Sequence, residues 1–141
     1  FSQVDVVVDG SDSIETRYLL NQFCVKLSIP YVYGAVFRDE GEFAFFDVGA
    51  GSACYRCLHP NPIPAELNPS CAQAGVLGVV PGMIGMLQAN ATLNYLLGHD
   101  GSVDACLVKL TFGVFKAVEF QIERNAGCPT CSGNAVERTL T

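Results

Sequence analysis

The sequence contains few charged residues and very few basic ones. Only 16% of its 141 residues are charged and 50% are hydrophobic, which excludes disorder as the main state of the chain. Lysine and arginine total 8 against 14 aspartates and glutamates, so the net charge is −6. The basic residues are scattered and form no stripe that could neutralise phosphates. We therefore expect no nucleic-acid partner.

The sequence also lacks a long uninterrupted hydrophobic run. Its most apolar stretch, Ala72 to Leu87, is shorter than the roughly 20 residues that span a membrane, and it contains a proline and four glycines. We therefore expect a buried helix and no membrane association. No basic segment followed by an apolar one resembles a signal peptide, so a cytoplasmic location is expected. Because Phe1 lies within an apolar strand pattern, we expect the chain to be a piece of a longer polypeptide.

Seven cysteines are present, and four of them form two Cys-x-x-Cys pairs. An odd count does not suit a secreted disulfide scaffold, whereas the pairs suit a reducing compartment and a metal. Two such pairs complete a tetrahedral site that has no open position. The spacing therefore predicts a structural zinc site formed by Cys54, Cys57, Cys128 and Cys131. Free core cysteines or a redox-active pair are the alternatives that the spacing leaves open.

Hydrophobic periodicity predicts a single α/β domain over residues 1–141. Val4 to Val8 is predicted as a strand of a parallel sheet and Ile14 to Leu27 as a helix. Tyr31 to Phe37 and Phe43 to Asp47 are predicted to form a hairpin. A loop rich in glycine and proline follows, from Gly49 to Ser70. The apolar face of the predicted helix consists of Leu19, Leu20, Phe23 and Leu27.

The second half of the sequence is predicted to form a helix, two strands and a polar tail. Ala72 to Leu97 is predicted to be helical in two parts, with a break near Pro81-Gly82. Cys106 to Ile122 is predicted to form two strands around Gly113, and the polar tail runs from Asn125 to Thr141. The fold class is therefore α/β at its start, with mostly antiparallel pairing at its end.

A polar segment, Asp9-Gly10-Ser11-Asp12-Ser13, follows the first predicted strand. Open α/β sheets bind ligands at the carboxyl ends of strands, and a carboxylate there can hold Mg²⁺ beside nucleotide phosphates. An aspartate before a helix is also a common N-cap, so the role of Asp12 is open between these two interpretations. Arg17 on the predicted helix faces either phosphates or solvent.

Cys71 lies outside both cysteine pairs, at the predicted start of a helix. A helix N-terminus favours the thiolate, which is the nucleophilic form of cysteine. A small buried apolar residue is the equal alternative. Cys24 and Cys106 are predicted to be core residues, and the two histidines are predicted to lie in loops, at His59 and His99.

Four segments together resemble the ThiF/MoeB/HesA family, whose members activate ubiquitin-like sulfur carriers with ATP. In chain order they are DVVVDGSDSIETRYLLNQFCVKLSIPYVYGAV, CYRCL, PSCAQAGVLGVVPGMIGMLQA and CPTC. The resemblance implies the C-terminal part of a Rossmann-like domain, with a mixed sheet and a structural zinc site. The four paired cysteines correspond to the family's zinc ligands.

The resemblance also implies roles for three further residues. Asp12 corresponds to a metal-linked, nucleotide-binding aspartate that adenylylation needs. Ser13 stands at the next nucleotide-binding position, where the family usually has the longer asparagine. Cys71 corresponds to a cysteine that in some members forms a covalent link with the carrier.

The implied function is ATP-dependent and Mg²⁺-dependent adenylylation of the C-terminal glycine of a sulfur carrier of the thiamin or molybdopterin type. The expected assembly is a homodimer. The family's glycine-rich nucleotide loop precedes the matched segment, so we expect residues 1–141 alone to be inactive. Asn90 and Thr111 stand where the family often has glutamate and aspartate. These departures leave the alternative of a catalytically inactive, zinc-stapled module for carrier binding or dimerisation.

Overall fold

The computed structural model describes residues 4–62, 74–99 and 105–133. Within these ranges the strands and the two longer helices follow the predicted α/β order, and one further short helix lies in the segment predicted to be a loop, Gly49 to Ser70. The elements are β1 (Val7–Asp9), α1 (Ile14–Leu27), β2 (Tyr31–Phe37), β3 (Glu40–Phe46), α2 (Tyr55–Leu58), α3 (Val79–Leu96), β4 (Cys106–Thr111) and β5 (Lys116–Gln121). None of the described helices is both long enough and apolar enough to cross a bilayer.

The strands form one mixed sheet in the order β1-β2-β3-β4-β5. β1 and β2 are parallel, with Val7 opposite Tyr31, and α1 provides the crossover that parallel neighbours need. The other neighbours are antiparallel. The predicted mixed sheet is therefore confirmed, as are the hairpin and the two strands around Gly113.

Side chains of the central strands alternate between two cores on opposite faces of the sheet. The face toward α1 and α2 buries Cys24, Tyr31, Tyr33, Ala44, Phe46 and Tyr55. The face toward α3 buries Val32, Phe43, Phe45, Val80 and Ile84. Because both faces are covered, β2 and the second half of β3, residues 43–46, are almost continuously apolar in sequence.

Helix α1 has the predicted bounds but a different buried face. Of the four residues predicted to form that face, Leu19, Phe23 and Leu27 are between 41% and 54% exposed. The side that is buried instead carries Asn21, Cys24 and Val25. Because the polar residue Asn21 lies at the centre of the buried side, the pattern of apolar residues predicted the wrong side of the helix.

Helix α3 continues through Pro81, where a break was predicted. Pro81 lies in the first helical turn, where backbone N–H groups have no acceptor within the helix, so the missing donor is tolerated. The helix begins at Val79 and ends at Leu96, and only Val80, Ile84 and Gln88 of it are buried, so the expectation of a buried helix is wrong. The predicted helical part before Pro81 is wrong over residues 75–78, which are not helical, and Val76 there forms an isolated parallel bridge with Arg38. The predicted helix start at Ala72 lies in residues 63–73, outside the described part of the chain.

Two strands, β1 and β3, differ from the prediction at both of their ends, and β3 ends at Phe46 rather than Asp47. β1 begins later than Val4 and includes Asp9. β3 begins at Glu40 because the turn before it needs only Arg38 and Asp39, the former with a φ of 54°. Glu40 therefore belongs to the sheet and forms an ion pair of 2.9 Å with Lys109 of β4.

Candidate metal centre and strand-end cleft

Four cysteine sulfurs from two distant segments lie together in the fold. The Sγ atoms of Cys54, Cys57, Cys128 and Cys131 all lie within 4.8 Å of one another. The Cys54–Cys57, Cys54–Cys128 and Cys57–Cys131 sulfur distances are 3.9, 3.7 and 3.4 Å. A disulfide would need about 2.05 Å, whereas a tetrahedron with Zn–S bonds of about 2.3 Å separates its sulfurs by about 3.8 Å. The cluster therefore has the dimensions of a metal site.

Short local structures present the two cysteine pairs to each other. Cys54 is the N-cap of α2, and the backbone N–H of Cys57 donates to the Cys54 carbonyl at 2.9 Å. Cys128 and Cys131 lie in turns that follow β5. Arg124 joins the two segments because its guanidinium donates to the carbonyls of Cys131 at 2.7 Å and Gly51 at 3.2 Å.

The electrostatics of the cluster suit a cation. Burial raises the pKa of the Cys54 thiol to about 11, with further contributions from the neighbouring Cys57 and Cys128 sulfurs. Burial also raises the pKa of Cys131. Crowded, buried thiolates require a compensating positive charge. Four sulfur donors without an open position could hold a structural metal such as zinc.

A buried carboxylate at the end of β1 shapes the loop that carries Asp12. Asp9 is 2% exposed, and its carboxylate accepts hydrogen bonds from the Ser11 backbone at 2.8 Å and from the Tyr31 hydroxyl. The Asp9 carbonyl accepts a bond of 2.7 Å from Nε2 of Gln88 on α3. Contacts from β2 and from α3 therefore hold the base of the loop.

Arg17 points from α1 back to the same loop. Its Nη2 donates to the Ser11 carbonyl at 2.7 Å, and its guanidinium lies 5.4 Å from the centre of the Tyr33 ring. Nε of Arg17 and Oγ of Ser11 are buried without a hydrogen-bond partner among the described residues. Arg17 therefore faces the loop and the cleft beside it. The sequence had left open whether this residue faces phosphates or solvent.

A cleft of about 100 Å³ opens at the carboxyl ends of β1 and β2. Its walls are the loop residues 10–12, Arg17, residues 34–36 of β2, and Pro81, Ile84 and Gln88 of α3. The position is the one where open α/β sheets bind ligands. The volume is below the roughly 300–1,000 Å³ of pockets that enclose a drug-sized molecule.

Asp12 and Ser13 are neighbours with different surroundings. Ser13 is the N-cap of α1, since its hydroxyl accepts a bond from the Thr16 backbone at 3.1 Å and donates to Glu15 at 2.9 Å. Asp12 is exposed and lines the cleft. The interpretation of Asp12 as the cap is therefore wrong.

The remaining singled-out residues fall into three groups. Cys24 and Cys106 are buried, at 2% and 6% exposure, which confirms them as core residues. His59 follows α2, and its ring centre lies 4.9 Å from that of Tyr55. Burial lowers the pKa of His59. Cys71 lies in residues 63–73, outside the described part, so its role stays a prediction.

Two buried polar side chains that shape these sites, Asn21 and Gln88, were not predicted from the sequence. Asn21 lies three residues before Cys24, and Gln88 lies four residues after Ile84, so each shares a helix face with a core residue. A polar residue that shares a helix face with a core residue was the sequence signal that could have identified each of them. The residues with which Asn21 and Gln88 form hydrogen bonds lie far away in sequence.

Comparisons with known proteins agree with this geometry. The ThiF family model matches residues 1–130. The chain is 40% identical over 133 residues to the adenylyltransferase and sulfurtransferase MOCS3 of Culex quinquefasciatus, covering 94% of this chain and 30% of that protein. It is 39% identical over 142 residues to a sulfur carrier protein adenylyltransferase of Thermus thermophilus, covering 96% and 52%.

The chain therefore spans about a third to a half of the length of these relatives. Among solved structures, Escherichia coli MccB matches with a TM-score of 0.74 at 16% identity, over 92% of this chain and 40% of that one. This likeness concerns the fold. The family model covers most of the chain. The chain belongs to the ThiF family.

Proposed function

We propose that the complete protein adenylylates the C-terminal glycine of a ubiquitin-like sulfur carrier, and that this chain is the C-terminal portion of its adenylylating domain. The observation that carries the proposal is the Asp12 loop at the strand-end cleft, in a chain whose relatives are named for adenylyltransferase activity. We further propose that the complete protein is a cytoplasmic homodimer and that residues 1–141 alone are inactive.

In the proposed reaction, the carrier's terminal carboxylate attacks the α-phosphorus of ATP. A new bond forms between the carboxylate oxygen and that phosphorus, and the bond to pyrophosphate breaks. No general base is needed because the nucleophile is already ionised. Mg²⁺ neutralises charge on the phosphates, and catalysis then depends on positioning and charge.

The residues of this chain have distinct parts in the proposal. The Asp12 carboxylate holds Mg²⁺, and Ser13 lies beside the nucleotide while capping α1. Asp9, Arg17 and Gln88 keep the loop in place through the hydrogen bonds described above. Cys71 is proposed to accept the acyl group from the adenylate, with AMP as the leaving group.

The four-cysteine cluster is proposed to hold one structural Zn²⁺. Bound by Cys54, Cys57, Cys128 and Cys131, the metal would tie the segment after β5 to α2. It would contribute folding free energy without entering the reaction. The matching sulfur distances support this assignment.

The function is tested by carrier-dependent exchange of pyrophosphate into ATP with the complete protein. We expect exchange in the wild type and a loss of about 10²- to 10³-fold in Asp12→Asn, the size of effect that removal of one charge-stabilising group produces. Asp5→Asn, at an exposed aspartate outside the cleft, is the matched control. Absence of exchange in the wild type would refute the proposal and favour the inactive carrier-binding or dimerisation module.

The metal assignment is tested by elemental analysis of the purified chain. We expect about one zinc per chain, and a strong loss of zinc in Cys128→Ser. Cys106→Ser is the control, because Cys106 is also buried but lies outside the cluster. Equal zinc content in both variants would show that the cluster is not the site.

A further inference from the structure

We propose that Asn21 is a positioning residue of the metal centre, which fixes Cys54 as a ligand and couples the centre to helix α1. The inference rests on the metal site proposed above. Asn21 lies on helix α1, which begins directly after Asp12 and its neighbour Ser13.

Asn21 uses both ends of its side-chain amide. The residue is 1% exposed. Its Oδ1 accepts a hydrogen bond of 2.9 Å from the Tyr55 backbone N–H, and its Nδ2 lies 3.7 Å from Sγ of Cys54. A backbone N–H can only donate, so Oδ1 must face Tyr55. The donating NH₂ group therefore faces the sulfur.

The contact with Tyr55 supplies a cap that α2 lacks. Tyr55 is the first residue of α2, so its N–H has no acceptor within the helix. Cys54 is the N-cap residue but makes no capping bond with its own side chain. Asn21 provides the acceptor from another helix.

The contact with Cys54 acts on the ligand itself. An N–H group that donates to a thiolate favours the charged form, which is the form that binds metal. Groups that hydrogen-bond to metal ligands orient them, and loss of such a group typically weakens binding 10- to 100-fold. The Asn125 backbone N–H lies 3.5 Å from Sγ of Cys57, so a second ligand receives similar support.

The same side chain links the centre to the cleft. Asn21 lies eight residues after the Ser13 cap, about 12 Å along α1 at 1.5 Å per residue. The helix is continuous between these points, and Asp12 directly precedes the cap. A shift of α1 at the metal end is therefore expected to reach the loop that lines the cleft.

The first test needs no variant. The full chain is loaded with ¹¹³Cd, which tetrathiolate zinc sites accept, and NMR is used to detect scalar coupling between the metal and the Asn21 side-chain NH₂ protons. Such coupling passes through an N–H···S–Cd path and requires the hydrogen bond. We expect a resolved correlation to Asn21, alongside correlations to the β-protons of the four cysteines.

The second test measures zinc affinity by competition with a chelator. We expect Asn21→Ala to bind zinc about 10- to 100-fold more weakly than the wild type. Gln22→Ala, at the exposed neighbouring residue, is the control and should bind like the wild type. Circular dichroism of each zinc-loaded variant confirms that α1 is intact.

Absence of the ¹¹³Cd–Asn21 correlation in a protein that binds one metal per chain would overturn the inference. An unchanged affinity in Asn21→Ala would also overturn it. A wild-type chain that binds no metal would refute the metal site itself, and metal content therefore separates the two failures.

Discussion

The side-chain amide of Gln88 occupies the space that a β-carbon on Gly34 would need. A Cβ at Gly34 would lie 2.6 Å from both Cδ and Nε2 of Gln88. From this position Nε2 donates to the carbonyls of Asp9 at 2.7 Å and Val32 at 3.3 Å. The missing side chain in β2 therefore allows α3 to hold the end of β1, where the Asp12 loop begins.

Gly34→Ala should displace that amide and break its hydrogen bonds. We expect the free energy of unfolding to fall by about 1–3 kcal/mol, measured by urea denaturation, from overpacking and unsatisfied carbonyls. Gly85→Ala on α3 is the matched control, because a β-carbon there meets nothing within 4 Å and alanine favours a helix. A double-mutant cycle with Gln88→Ala should show less than additive loss, and full additivity would contradict the shared mechanism.

Ser13 should matter for stability through its cap. Ser13→Ala removes the acceptor for the Thr16 N–H and is expected to cost about 1 kcal/mol in unfolding free energy, measured by chemical denaturation. Ser13→Asn retains a capping oxygen and should cost almost nothing. Equal losses in the two variants would show that capping does not account for the residue's contribution.

Metal removal should loosen the segment after β5 and leave the central hairpin intact. The cluster joins Cys128 and Cys131 to α2, whereas β2 and β3 pair through their own backbone bonds. On chelation we expect amide hydrogen exchange to accelerate by at least 10-fold in residues 124–133, with little change in β2 and β3. Uniform acceleration throughout the chain would instead indicate global unfolding.

Alkaline pH should destabilise the zinc-loaded protein in part through Cys24. Burial, and then the charge of Asp9, raise the pKa of this thiol to about 11. The pKa of a cysteine in an unfolded chain is about 8.5, so the folded state binds the Cys24 thiol proton more strongly than the unfolded state does. The resulting stability is fully present below about pH 8.5 and is lost as the pH rises towards 11.

Denaturation curves collected between pH 8 and 11 test this dependence. We expect the wild type to lose stability across the window and Cys24→Ala to lose less, although the variant starts from a lower value because it removes a buried sulfur. Parallel curves for the two proteins would contradict the assignment to Cys24.

Several features of this protein follow from local sequence patterns. Helix α1 and strand β2 have their predicted bounds, because hydrophobic periodicity and the breaks at Ser28 and Pro30 act over a few neighbouring residues. The family could also be predicted, since four short segments occur in its characteristic order. The spacing of the Cys-x-x-Cys pairs is by itself enough to predict a metal cluster.

Other features depend on contacts between distant segments, which no period or spacing encodes. The tertiary structure decides that α1 buries Asn21 while Leu19 and Leu27 stay exposed, because the amide meets Cys54 and Tyr55, more than 30 positions away. It also brings together cysteines that are 74 positions apart. The sequence by itself thus determined most of the elements, the metal-binding residue types and the family. Only the packing of distant segments decided which polar side chains hold the cluster and the cleft in place.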